Sequence, residues 1–194
     1  QRQMCIRDSI IPGVDDGSQS IETSLEMIER LKTQGAKKIV LTPHYYSDNI
    51  SLNDFLRRRD KAFNALLSAL PPGSPELIPA AEVYISKYLF NNDNLDALKI
   101  GNSNYVLIEH PFSAEFDDND YYRLNNLFCD YGLKPVLAHI ERYRALMEDT
   151  YKLEEYIEMG CLVQVNISSF VTGKHSLKKK LFNCLLYTSP SPRD

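Results

Sequence analysis

The sequence predicts an α/β protein on a parallel sheet, curled into a barrel rather than spread as an open doubly wound sheet. Three observations carry this. Short apolar β-like runs alternate with amphipathic helical stretches, with no internal linker and no repeat of fixed period, which is the pattern of successive βαβ units. No strand-to-helix turn holds a glycine-rich phosphate cradle, since neither GxGxxG nor GxxxxGKS/T occurs. Residues able to do chemistry stand instead at the downstream ends of nearly all the strands, as on the open face of a barrel.

Each element follows from its local pattern. After the turn-rich loop Pro12–Gly17, Ser18–Gly35 carries Ile21, Leu25, Ile28 and Leu31 on one helical face, and Gly35 closes that helix. Strand Lys38–Thr42 leads to His44. A second amphipathic helix covers Leu52–Leu70, with Phe55, Leu56, Phe63, Leu66, Leu67 and Leu70 inward. Ser51 with Asp54 three residues on makes a variant capping box, and Pro71–Pro75 ends the helix. Strand Leu77–Tyr84, a helical stretch around Tyr88–Leu98, strand Tyr105–Glu109 and a helix across Asp118–Tyr131 come next. Strand Pro135–His139, helical stretches to Met159 and strand Leu162–Asn166 complete the order. A sheet of about six strands is too few to close without more chain, so the barrel is expected to be unfinished.

Composition narrows the function classes. The 194 residues suffice for one domain with a substantial core, and 43% hydrophobic with 25% charged residues is the balance of a soluble globular chain. A net charge of -4 argues against a general nucleic-acid binder. No apolar run reaches the length of a membrane span. Cys5, Cys129, Cys161 and Cys184 lack CxxC spacing and read as reduced thiols of a cytoplasmic protein. Residues 1–9 and 185–194 show neither strand alternation nor a helical stripe. They resemble translated library-adaptor sequence, so the domain is expected to occupy residues 10–184.

The strand ends carry the chemistry. His44, Glu82, Glu109 and His139 follow apolar runs, and two imidazoles with two carboxylates on one shared face form a metal-ligand set, the outline of a hydrolase. A carboxylate ending such a run is costly to bury unless paired or coordinated, which applies most strongly to Glu109. In Ile11–Gly17, Asp15 and Asp16 alone read as a solvated Asp-Gly turn; beside the other ligands Asp16 becomes a metal or water contact and Asp15 a pocket-lining residue. Arg142, three residues beyond His139, offers the planar fork that suits phosphate, against the plainer reading of an ion pair with Glu141 or Glu148. Metal ligands with an adjacent arginine point to phosphate-ester hydrolysis. Asn166 lines the pocket in this reading, with an amide able to orient a ligand. Arg57–Arg59 and Lys178–Lys180 read as solvated faces, His110 as structural, and His175 as exposed.

The stretches IIPGVDDGS, LTPHYY, AAEVYI, VLIEHPF, PVLAHIERY and LVQVNISSF, in this order, resemble the bacterial tyrosine-protein phosphatases of capsular and exopolysaccharide operons. These belong to the polymerase-and-histidinol-phosphatase (PHP) superfamily, and the likeness covers residues 10–170. The resemblance implies a distorted seven-stranded TIM-like barrel, here truncated at its C-terminal end. It implies a cluster of up to three divalent ions, manganese foremost, held by Asp16, His44, Glu82, Glu109 and His139. Arg142 would then bind the phosphate, and metal-activated water rather than a cysteine would attack. The implied substrate is the phosphotyrosine tail of a partner kinase that regulates polysaccharide synthesis. A homo-oligomer is compatible with that resemblance.

Two departures from that family stand out. It begins with Asp–x–His–x–His, where this chain has Arg7 and Ser9, and it ends with an Asp–x–His pair that is absent after residue 166. Both fall where the ends look foreign. As written, the chain is expected to bind metal poorly and to turn over slowly. Two alternatives stay open: a phosphoesterase of small monoesters such as histidinol phosphate, and, if Arg7 and Ser9 are genuine, a non-catalytic phosphotyrosine-binding regulator.

Overall fold

In the computed structural model residues 10–172 are described, and the chain divides into two units, Gln1–Val106 and Leu107–Asp194. Arg7, Ser9, the two tails, His175 and Lys178–Lys180 lie outside the described residues.

The first unit begins with Ile10 and Ile11, both buried, and a loop turned by Gly13, whose φ of 68° suits glycine. The Gly13 amide donates to the Ser18 carbonyl at 2.8 Å, and Ser24 Oγ donates to the Ile10 carbonyl at 2.6 Å. These bonds fasten the loop to helix α1 (Ile21–Thr33), which Ser20 caps by accepting from the Thr23 amide. Ile28 and Leu31 of α1 join Ile10, Ile11, Ile39, Leu41, Leu66 and Leu77 in one core. Each such aliphatic side chain contributes about 2 kcal/mol on burial. Helix α2 (Leu52–Ala69) starts at Ser51, whose Oγ accepts from the Asp54 amide as its capping pattern predicts. Phe55 and Leu66 face inward, but Leu67 is 40% exposed and lies off the buried stripe.

Strands β1 (Lys38–Leu41) and β3 (Glu76–Pro79) pair in parallel, from Lys38 opposite Glu76 to Leu41 opposite Pro79. The run expected to be one strand from Leu77 to Tyr84 is broken. After the break β2 (His44–Tyr45) and β4 (Glu82–Tyr84) form a second parallel pair, with His44 opposite Glu82. Pro43 supplies the reason, because proline has no amide hydrogen and so leaves the Ala80 carbonyl without its ladder partner. The Ala80 amide still reaches the Leu41 carbonyl (2.8 Å) and the Glu82 amide the Pro43 carbonyl (3.0 Å). The buried Arg59 guanidinium satisfies the Ala80 carbonyl (3.2 Å) and the Ala97 carbonyl (2.8 Å). Arg59 is therefore interior, not part of a solvated face. The stretch around Tyr88–Leu98 forms two short 3-10 turns, Leu89–Asn91 and Asp96–Leu98.

In the second unit, the end of β5 (Tyr105–Glu109) lies next to β6 (Lys134–Leu137), and the Ala138 amide donates to the Ile108 carbonyl at 2.9 Å. Helix α3 (Asp118–Cys129) precedes β6 and is capped by Asp117, which accepts from the Asn119 and Asp120 amides. A 3-10 turn at Ile140–Arg142, then α4 (Arg144–Glu148) and α5 (Thr150–Met159), lead to Gly160, which closes α5 at a φ of 107°. Strand β7 (Leu162–Val163) pairs with β6 in parallel, and α6 (Ile167–Thr172) follows. β6 stops two residues short of His139 because His139 is left-handed, with φ 36° and ψ 53°. β7 likewise stops short of Asn166. The fold is thus α/β with parallel strand pairing, and no closed barrel is formed among the described residues.

Candidate metal centre

The loop of the first unit places two carboxylates against the start of β2. Asp15 is half-buried: one carboxylate oxygen accepts from the Gly17 amide (3.1 Å) and the other from the His44 amide (3.0 Å). Asp16 beside it is exposed. One ligand atom from each of Asp15, Asp16 and His44 can be chosen so that all three lie within 4.8 Å of one another. Glu82, buried, sits directly across the strand pair from His44, so the two side chains leave the sheet on the same side. Oxygen and imidazole donors in one cluster fit a divalent metal ion of borderline hardness. The cluster forms one wall of a pocket of about 510 Å³ that also includes Tyr46, Phe55 and Arg58. Tyr46 stacks on His44 with ring centroids 5.7 Å apart.

The second unit brings Glu109 and His139 together. His139 Nε2 lies 3.0 Å from Glu109 Oε1, and both side chains are buried. The left-handed backbone of His139 is held by Gln164, whose side-chain oxygen accepts from the His139 amide at 2.6 Å. The Gln164 carbonyl also accepts from the Ile140 amide (3.1 Å), so one residue ties down both peptide groups around the imidazole. A left-handed conformation costs a non-glycine residue about 1 kcal/mol or more, and these bonds offset it. Tyr143 adds a further tie, its hydroxyl accepting from the His110 amide at 2.9 Å while its ring lies 5.3 Å from that of His139. His110 is itself buried against Phe116, and burial lowers its pKa to about 3, which leaves it neutral.

Arg142 is exposed, with its guanidinium carbon 5.8 Å from the Phe112 ring centroid. It makes no ion pair among the described residues. Glu148 pairs with Arg144 (2.8 Å), and Glu141 accepts from the Asn166 amide and Ser169 Oγ, each at 3.3 Å. The ion-pair reading of Arg142 is thereby set aside. Asn166 is half-buried, and its side-chain oxygen accepts from Gln164 Nε2 at 3.2 Å, so the amide braces Gln164. Gln164 and Tyr143 are given no role by the sequence alone, and Arg58, read as part of a solvated face, lines the pocket. The available signal for Gln164 was the alternation of Gln164 and Asn166 with valines, which put two polar side chains on one face of a strand.

Comparison with known proteins agrees with this chemistry. The family model "Capsular polysaccharide synthesis, CpsB/CapC" matches residues 4–189. The tyrosine-protein phosphatase CpsB of Streptococcus agalactiae serotype V is 32% identical over 193 residues, covering 92% of this chain and 70% of that protein. The tyrosine-protein phosphatase YwqE of Bacillus subtilis is 28% identical over 182 residues, 91% of this chain and 69% of that one. A solved structure from work on YwqE of Bacillus subtilis and CpsB of Streptococcus pneumoniae, described as unique metal-dependent tyrosine phosphatases, matches with a TM-score of 0.74. It is 26% identical, and the match covers 92% of this chain and 73% of that structure's. On the family match and the 32% identity together, the chain belongs to the CpsB/CapC family of capsular polysaccharide synthesis.

Proposed function

We propose that the chain is a metal-dependent protein-tyrosine phosphatase that removes phosphate from a tyrosine kinase controlling capsular or exopolysaccharide synthesis. The observation that carries this is the cluster of Asp15, Asp16 and His44 on the wall of an open pocket, in a chain whose relatives are named tyrosine-protein phosphatases. Asp16, His44 and Glu82 from the first unit, with Glu109 and His139 from the second, would hold the divalent ions, with manganese as the proposed metal. A divalent ion held there would supply Lewis-acid chemistry and activate a water near neutral pH.

The chain's own residues supply binding and orientation. Arg142, exposed and free of carboxylate partners among the described residues, would bind a phosphate with two parallel hydrogen bonds. Asp15 holds the His44 backbone, and Gln164 holds that of His139, so both imidazoles are fixed before any ligand arrives. A cysteine mechanism is disfavoured at Cys161, which is buried with its thiol pushed up to about 12 and so is no thiolate at neutral pH. The finer fold in this proposal is the distorted PHP barrel, supported by the parallel strand pairs and the likeness to the solved structure. A cytoplasmic location is supported by the free thiols of Cys129 and Cys161.

The deciding experiment is phosphate release from a phosphotyrosyl peptide and from histidinol phosphate, after chelation and after adding back manganese. Metal-dependent release from the peptide at a higher kcat/KM than from histidinol phosphate is expected. Preference for histidinol phosphate would reassign the substrate, and metal-independent binding of the peptide without release would make the chain a regulator.

A further inference from the structure

Arg57, Arg58 and Arg59 follow one another on α2, and successive helical residues point about 100° apart, so three neighbours serve three directions. Arg57 pairs with Asp54 one turn back. Arg59 turns inward to the Ala80 and Ala97 carbonyls and to Asp60. Arg58 makes no hydrogen bond or ion pair among the described residues, and it lines the same pocket as Asp15, Asp16 and His44.

An arginine is charged at every working pH, and its fork is matched to carboxylate and phosphate oxygens. The pocket is about 510 Å³, within the range of sites that enclose a whole small ligand and far larger than a phosphoryl group needs. Its walls include Val14, Ile50 and Tyr46, apolar and aromatic surface suited to a phenyl ring. A metal-ligating corner, an aromatic wall and a spare cation in one cavity describe a substrate with three parts. These are a phosphoryl group, an aryl ring and a second anionic group.

Building on the phosphatase reading, we propose that Arg58 is a specificity-determining residue that binds a carboxylate flanking the phosphotyrosine, so that acidic phosphotyrosyl segments are preferred. Asp15 and Asp16 line the same pocket and repel such a segment until metal offsets their charge, so the preference should be strongest in the metal-loaded protein.

The test uses the full chain loaded with manganese and fluorescent peptides bearing a non-hydrolysable difluoromethylphosphonate in place of the tyrosine phosphate. One peptide has glutamates beside that residue, one glutamines and one lysines, and affinity is read by fluorescence anisotropy. Wild type should bind the glutamate peptide several-fold more tightly than the glutamine peptide. Arg58→Gln should remove that difference, a loss of about fivefold, the upper range for an exposed ion pair. Arg58→Glu should reverse the order and favour the lysine peptide, a swap that general damage to the fold would not produce. Equal weakening towards all three peptides would overturn the proposal, since Arg58 would then act on the phosphoryl group or on the fold. Hydrolysis of the matching phosphotyrosyl peptides tests the phosphatase reading separately. A charge swap in binding without turnover would sink that reading and leave the Arg58 assignment standing.

Discussion

His139 Nε2 stands 3.0 Å from Glu109 Oε1, with His139 fully buried and Glu109 nearly so. A carboxylate in that position is tolerable only with a partner, and the imidazole supplies one. Both residues are also proposed metal ligands, so their contact holds two ligands in place. Glu109→Ala is expected to cost about 3 kcal/mol or more, because it strips the partner from a buried polar group. Glu109→Gln keeps a hydrogen-bonding oxygen and should stay folded in urea titrations of the metal-free protein. Its manganese content by elemental analysis should nonetheless fall at least tenfold. Unchanged metal content in the glutamine variant would remove Glu109 from the ligand set.

Gln164 accepts from the His139 amide at 2.6 Å, at a residue whose φ is 36°. Losing that acceptor leaves a buried donor unsatisfied, which costs about 1–3 kcal/mol. Gln164→Leu should therefore lower the urea midpoint and weaken metal binding by about 10–100-fold, as second-shell losses do. Gln164→Glu retains the acceptor oxygen and should restore both. If the leucine variant were equally unstable but bound metal normally, Gln164 would be a fold residue without a role in positioning His139.

The sequence showed what periodicity and end position can show. The capping serines, the helical stripes, and the placement of Glu109 at the end of β5 and His139 just past β6 are all local patterns, whereas His44 and Glu82, expected at downstream strand ends, instead open β2 and β4. What was hidden depended on contacts distant in the chain. Nothing near Leu77–Tyr84 says that the strand divides after Pro79, since the break becomes visible only once Pro43 comes alongside and Arg59 caps the freed Ala80 carbonyl from 21 residues away. The charge of Arg59 suggested solvent, and its burial follows from carbonyls that the sequence cannot locate. Gln164 was inconspicuous for the same reason: its partner, His139, lies 25 residues upstream. Arg57 and Arg58 look alike in sequence, and the Asp54 ion pair of the first and the pocket beside the second separate them.

Arg59 offers a test of that strand break. Its Nη1 donates to the Ala80 and Ala97 carbonyls, and Ala80 lies two residues before Glu82. Lysine offers one nitrogen where arginine sets Nη1 on two carbonyls and Nε on Asp60, so Arg59→Lys should behave as a disruptive change. A loss of about 2–4 kcal/mol is expected from two unmade charge-assisted bonds in a buried site. Thermal melts should show it directly. Because Glu82 is opposite His44, manganese affinity should fall as well. A lysine variant with wild-type melting would show that the carbonyls find other partners.

Cys161 and Cys129 differ in their surroundings, the first buried and the second exposed, and both are free thiols. Burial pushes the Cys161 thiol up to about 12 from its ordinary value near 9. Between those values the unfolded chain has released the proton while the native state keeps it. The unfolded state then binds fewer protons, so the stability Cys161 contributes falls as pH rises above about 9. Iodoacetamide at pH 8.5 should label Cys129 in the native protein and spare Cys161, read by peptide mapping. Urea should expose both. Cys161→Ala should flatten the decline in stability from pH 9 upward relative to wild type. Native labelling of Cys161 at the rate of Cys129 would show that its site opens to solvent, and an unchanged slope in the alanine variant would assign the alkaline loss to other groups.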